Sequence, residues 1–117
     1  MLILRNTDKD LLLADTITVC ETLPDRLRGL LGKTSLDQTE VYWIRPCDSI
    51  HTFFMRMTID VAFVDANLTV VKVIANMTPF RVCLPVRRAA GVIEGPVGML
   101  KRAQIRKGTQ LGLAPAP

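Results

Sequence analysis

Cys47, His51 and Asp60 are the residue types of a nucleophile, its general base and an orienting carboxylate. They fall in one stretch, Pro46 to Asp65, that also holds the chain's only histidine and three of its four phenylalanines. A thiol is activated by an adjacent base that a third group orients, so the set admits a small cysteine or acid–base enzyme. Such a constellation is defined by geometry, and no spacing rule selects it. The plainer reading makes Cys47 a small buried apolar group, lets His51 donate to a backbone carbonyl and lets Asp60 cap a turn. What then remains is a shaped face without a reaction. A ligand- or protein-binding accessory module is therefore favoured over an enzyme, with an unidentified small ligand or protein as its partner.

The face itself follows from periodicity. At a repeat of two, His51, Phe53 and Met55 share one side of a strand; in the next run Ile59, Val61 and Phe63 oppose Asp60, Ala62 and Val64. If strands at about 50–55 and 59–65 form a hairpin through Arg56-Met57-Thr58, Asp60 returns beside His51 and Thr52. The expected ligand-binding set is His51, Thr52, Phe53, Met55 and Asp60, joined by Glu94, the single acid of residues 80–117.

Other chemistries find less support. One histidine is thin for a transition metal, whether joined by Cys47, Asp60 or Glu94, and the carboxylates lack EF-hand spacing, so no metal site is assigned. Cys20, Cys47 and Cys83 are an odd number without a CxxC pair, which predicts reduced thiols. Gly91, Gly95 and Gly98 lie near basic residues but form neither a Walker nor a dinucleotide fingerprint, so no cofactor is expected. The net charge of +4 is concentrated in Arg81, Arg87, Arg88, Lys101, Arg102, Arg106 and Lys107. Nucleic-acid binding through this basic C-terminal third is an alternative, disfavoured because most of the few aromatics sit in apolar strands.

The elements that must position these residues are mostly strands. Apolar residues make up 49% of the chain but aromatics only 5%, so aliphatic side chains must build the core. Strands are expected at Leu2–Leu4, about 12–20, 41–44, 50–55, 59–65, 68–74, 87–94 and 109–113, arranged as an antiparallel meander. One helix stands out: a cap at Thr22 or Leu23, Pro24 in the first turn and Gly32 as a stop, with Leu27, Leu30 and Leu31 as a buried stripe. A single helical turn is expected at 96–101. The predicted fold is mainly β, a compact antiparallel sandwich or squashed barrel with one short capping helix. Residues 1–113 are expected to form one globular domain, with 114–117 as a mobile tail. No apolar run is long enough for a membrane span and the N-terminus lacks signal-peptide features, so a cytoplasmic location is expected.

Taken together, Ile50-His51-Thr52, Met55 and Ile59-Asp60 within Pro46–Asp65 resemble the bacterial and archaeal family known as domain of unknown function 192. Arg28-Gly29-Leu30-Leu31 looks like that family's Arg-Gly-Leu-Met element, Val92 to Gly98 looks like its Glu-Leu-Pro-Ala-Gly segment, and Lys107-Gly108 falls at a similar late glycine turn. The resemblance covers roughly residues 10–113. The chain departs from the pattern at Leu31, Phe54, Gly95 and Val97. The resemblance implies a compact β-sandwich-like domain with a short helix, and it brings no biochemical activity. Because the family includes exported members, the cytoplasmic expectation rests on this chain's N-terminus alone.

Overall fold

Aliphatic and β-branched runs, punctuated by Gly, Pro, Asn and Asp, give ten strands and two short helices in a computed structural model that describes residues 1–117. In chain order these are β1 (Leu2–Asn6), β2 (Leu11–Ala14), β3 (Thr16–Cys20), α1 (Leu23–Arg28), β4 (Glu40–Ile44), β5 (Ile50–His51) and β6 (Ile59–Val64). They continue with β7 (Val70–Met77), β8 (Val82–Cys83), β9 (Gly91–Pro96), α2 (Met99–Arg102) and β10 (Leu111–Pro115). The molecule is mainly β. No helix is long and apolar enough to cross a membrane.

A five-stranded sheet of order β3-β4-β9-β6-β7 is the central layer. Its interior strand β6, between β9 and β7, is buried at all six positions, as a strand covered on both faces must be. The period-two assignment of β6 holds. Val61 and Phe63 point, with Val92 and Glu94 of β9, into a core that also contains Leu30, Met55 and Met77. Ala62 and Val64 point, with Ile93, into the opposite core, closed by Leu4 and Leu13 of the three-stranded sheet β10-β1-β2 and by Met99 and Leu100 of α2. The two-stranded ribbon β5-β8 belongs to the layer over the first face.

Several expectations need correction. The strands are not a meander: β9 inserts between β4 and β6, and β3 pairs with β4 in parallel. A parallel pair needs a crossover, which residues 21–39 supply by carrying α1 across. The run expected as one strand from 12 to 20 breaks at Asp15, so that β2 joins one sheet and β3 the other. Asp15 marks the switch by donating its N–H to the Thr39 carbonyl and accepting the Thr39 hydroxyl at 2.8 Å.

Helix α1 begins as expected. The Thr22 hydroxyl accepts the Asp25 N–H at 3.3 Å and Pro24 occupies the first turn. It lasts only six residues, however, so the stripe splits: Leu30, just beyond its end, is buried, whereas Leu27 is exposed and Leu31 partly so. There are two short helices, α2 lying at the turn expected near 96–101. Finally, β10 continues through Pro115 opposite Leu2, and Ala116 donates to the Met1 carbonyl, so much of the expected tail is paired with β1.

Candidate functional site

Strand β9 carries Glu94 on the face that looks toward α1. Burial on that face is nearly complete: the residue is 3% exposed, and its carboxyl makes no hydrogen bond to any protein group. The oxygens instead border a cavity of about 100 Å³ between α1, the segment 44–51 and β9. Leu30, Ile44, Ile50, Met55 and Val92 supply apolar wall, while Arg26, Arg28, Cys47, Ser49 and His51 add polar groups. Burial raises the Glu94 carboxyl to a pKa of about 8, because the loss of solvent around the group penalises its charged form. At neutral pH the group is a carboxylic acid, able to donate one hydrogen bond and accept others.

The end of α1 makes room for this acid. Gly29 closes the helix at φ +46°, its N–H donating to Asp25, and a Cβ placed there would lie 3.4 Å from Ile44 Cδ1 and 3.8 Å from Glu94 Oε1. The left-handed backbone favours glycine, and the missing side chain leaves the carboxyl facing open space. Arg28 reaches back to Asp25 at 3.7 Å, an exposed pair of little energetic weight.

Cys47 and His51 both line this cavity. The Cys47 thiol donates to the Ser49 carbonyl at 3.0 Å, and burial pushes its pKa up, so it is a thiol at neutral pH rather than a nucleophilic thiolate. His51 is exposed and packs its ring on Phe53, centroids 5.5 Å apart.

Asp60 does not join them. The hairpin expected to bring it beside His51 is absent: only Ile50 and His51 form a strand, and they pair with Cys83 and Val82 of β8, not with β6. Past His51 the backbone leaves the extended region and Phe54 turns left-handed at φ +65°. Asp60 points to the other side of the central sheet, is 2% exposed, and has both oxygens engaged. Oδ1 accepts the Asn76 N–H at 3.0 Å; Oδ2 accepts the Gly98 and Leu100 N–H groups at 3.1 and 3.0 Å, fastening α2 to β6. The candidate trio of Cys47, His51 and Asp60, the disfavoured alternative, is therefore not assembled.

Of the expected ligand-binding residues, His51, Met55 and Glu94 line the cavity; Thr52, Phe53 and Asp60 do not. Thr52 is buried and ties two loops together. Its hydroxyl donates to the Thr78 carbonyl at 2.7 Å and accepts the Arg81 N–H at 2.9 Å, while its carbonyl accepts from Phe80. Sequence reasoning missed Arg26, Leu27, Gly29, Ile44 and Val92 as lining residues. The signal that could have found part of the wall is the apolar stripe of α1, too wide for so short a helix to bury: Leu27 and Leu31 border the cavity as well as solvent.

The layered β architecture is shared with small proteins whose structures are solved. A candidate transcription regulator from Sinorhizobium meliloti 1021 superposes with a TM-score of 0.80 at 16% identity, covering 95% of this chain and 90% of that one. A protein of unknown function from Novosphingobium aromaticivorans superposes at 0.78 with 19% identity, covering 95% and 82%. At these identities the likeness is one of fold. The family model DUF192, uncharacterized ACR, matches residues 3–113, and the chain belongs to that family. It is 34% identical over 99 residues to a UPF0127 protein of Pyrococcus horikoshii, covering 80% of this chain and 84% of that protein. A UPF0127 protein of Pyrococcus abyssi is 43% identical over 63 residues, and the match spans about half of each chain, 54% of this one and 53% of the relative.

Proposed function

We propose that this protein is a small-molecule-binding module whose ligand presents a hydrogen-bonding end group to Glu94. One observation carries the proposal: Glu94 is buried, has no hydrogen-bond partner within the chain and borders a cavity. No side-chain oxygen of the chain is both sealed from solvent and unpartnered, so the Glu94 oxygens stay reachable through the cavity, and a group that enters it can pair with the carboxyl in place of water. The apolar wall adds burial for the carbon skeleton behind the end group, the usual division of labour in ligand sites.

Size and charge narrow the choice. At about 100 Å³ the cavity takes an end group rather than a whole cofactor-sized molecule. A neutral carboxyl pairs well with a hydroxyl or a primary amide, both of which donate and accept. Arg26 and Arg28 in the lining disfavour an ammonium group there. A panel of short alcohols, primary amides, amines and carboxylates, titrated one at a time while backbone amide resonances are followed, tests the reading. Alcohols or amides should shift Gly29, Cys47 and Glu94 in the native protein and in Glu94→Gln, with at least a tenfold weaker response in Glu94→Leu. No localised shift with any member of the panel, or equal shifts in Glu94→Leu, would refute it.

A further inference from the structure

Three phenylalanines sit where a folded chain does not ordinarily place them. Phe54 is 77% exposed and Phe80 64%, each at a left-handed φ of +65° that a bulky side chain rarely adopts, and Phe53 packs between Phe80 and His51. Ring centroids are 6.3 Å apart for Phe53 and Phe80 and 6.2 Å for Phe54 and Phe80, so the three form one cluster. The patch extends along β8 to Val82 and to Leu84, which is 76% exposed. Thr52 holds both turns in place through its bonds to Thr78, Phe80 and Arg81.

The two segments that carry the cluster, 49–59 and 66–93, hold basic side chains and no acidic one. No acidic residue lies between Asp48 and Asp60, or between Asp65 and Glu94, and of those four bounding acids Asp60 and Glu94 are buried. Arg56 follows Phe54 by two residues and Arg81 follows Phe80 directly; both are exposed, and neither is in an ion pair. Arg87 and Arg88 continue the same character at the far end of the β8 loop, near the exposed Asp48.

We propose that this face docks on an anionic lipid bilayer, with Phe54, Phe80, Val82 and Leu84 entering the boundary between headgroups and acyl chains while Arg56 and Arg81 meet lipid phosphates. Exposed Phe and Leu beside basic residues is the chemistry of interfacial attachment, where apolar burial and attraction to anionic headgroups act together. Shape separates this partner from others. Phe54 and Phe80 stand at turn tips and line none of the principal cavities, so they offer no groove to a peptide. Nucleic-acid platforms stack bases on aromatic faces, whereas this patch continues in aliphatic Val82 and Leu84, which offer none. The attachment lies on the surface and requires no spanning segment.

Sedimentation with vesicles tests the proposal, using phosphatidylcholine alone and phosphatidylcholine mixed with phosphatidylglycerol. The native chain should partition onto the mixed vesicles at least tenfold more strongly than onto the neutral ones, less so as salt rises. Phe54→Gly with Phe80→Gly should lose at least tenfold of that partitioning while melting no lower than the native chain, because glycine suits both left-handed positions. Arg56→Glu with Arg81→Glu should lose a similar factor by a separate route. Absence of binding to the mixed vesicles, equal binding to neutral ones, or full binding by either double variant would overturn the proposal. So would release from the mixed vesicles by single-stranded DNA at a charge-matched concentration, which would assign the face to nucleic acid instead.

Discussion

Asp60 and Glu94 are two carboxylates on adjacent strands of one sheet, both almost wholly buried, and they have opposite surroundings. Register places Asp60 across from Gly95 and Glu94 across from Val61, so their side chains leave the sheet on opposite faces. Asp60 accepts three backbone N–H groups and locks α2 against β6. Glu94 accepts none and borders a cavity. Burial alone therefore does not distinguish a structural acid from a poised one; hydrogen-bond accounting does.

The comparison breaks most visibly if Asp60 is expendable. Asp60→Ala strands three buried N–H groups and should cost about 4 kcal/mol in a urea melt; a loss under about 1 kcal/mol would mean that the lock between β6 and α2 is not structural. Next in size is the split within the leucine stripe. Leu30→Ala should cost roughly 3 kcal/mol by opening a cavity in the core shared with Val61 and Phe63, and an effect near zero would place residue 30 outside that core.

Glu94 gives an effect that is graded with pH rather than fixed. Its folded pKa of about 8 lies above the ordinary 4.5, so between those values the folded state holds a proton that the unfolded state has released. Stability contributed by the neutral acid is thus complete below about pH 4.5 and declines as pH rises toward 8, at up to about 1.4 kcal/mol per pH unit, then levels off. Glu94→Gln removes this decline, so native and variant melts should diverge with rising pH; parallel curves from pH 5 to 8 would contradict the shift. Smallest of all, Leu27→Ala should change stability by less than about half a kilocalorie, and a larger loss would return Leu27 to the core.

Much of the fold was legible where local pattern and burial agree. The alternation in Ile59–Val64 assigned each side chain to its correct face, and Thr22, Pro24 and Asp25 marked the helix start. The site was legible only in part. Ile50–Met55 reads as a strand by composition, but the left-handed turn at Phe54 ends it early, and the true partner of His51, Val82, lies in a short run before Pro85 that local pattern leaves open between loop and edge strand. Glu94 could be named as a candidate from its isolation among basic residues. Its lack of a partner could not, since that depends on the backbone of Gly29, distant in sequence and close in space. For Asp60 the reverse applied: chemistry made it attractive, and the amides that occupy it come from Asn76, Gly98 and Leu100, which no local pattern announces.

The claim that Glu94 is a neutral, unpaired acid facing a ligand cavity is tested most directly by following its side-chain carboxyl carbon resonance across pH, with Glu94→Gln to assign the signal. The account predicts a protonated carboxyl at pH 7 and a midpoint near 8, displaced when a bound alcohol or amide occupies the cavity. A midpoint near the ordinary 4.5 would contradict it, because it would show that water or an unrecognised partner already satisfies the carboxylate.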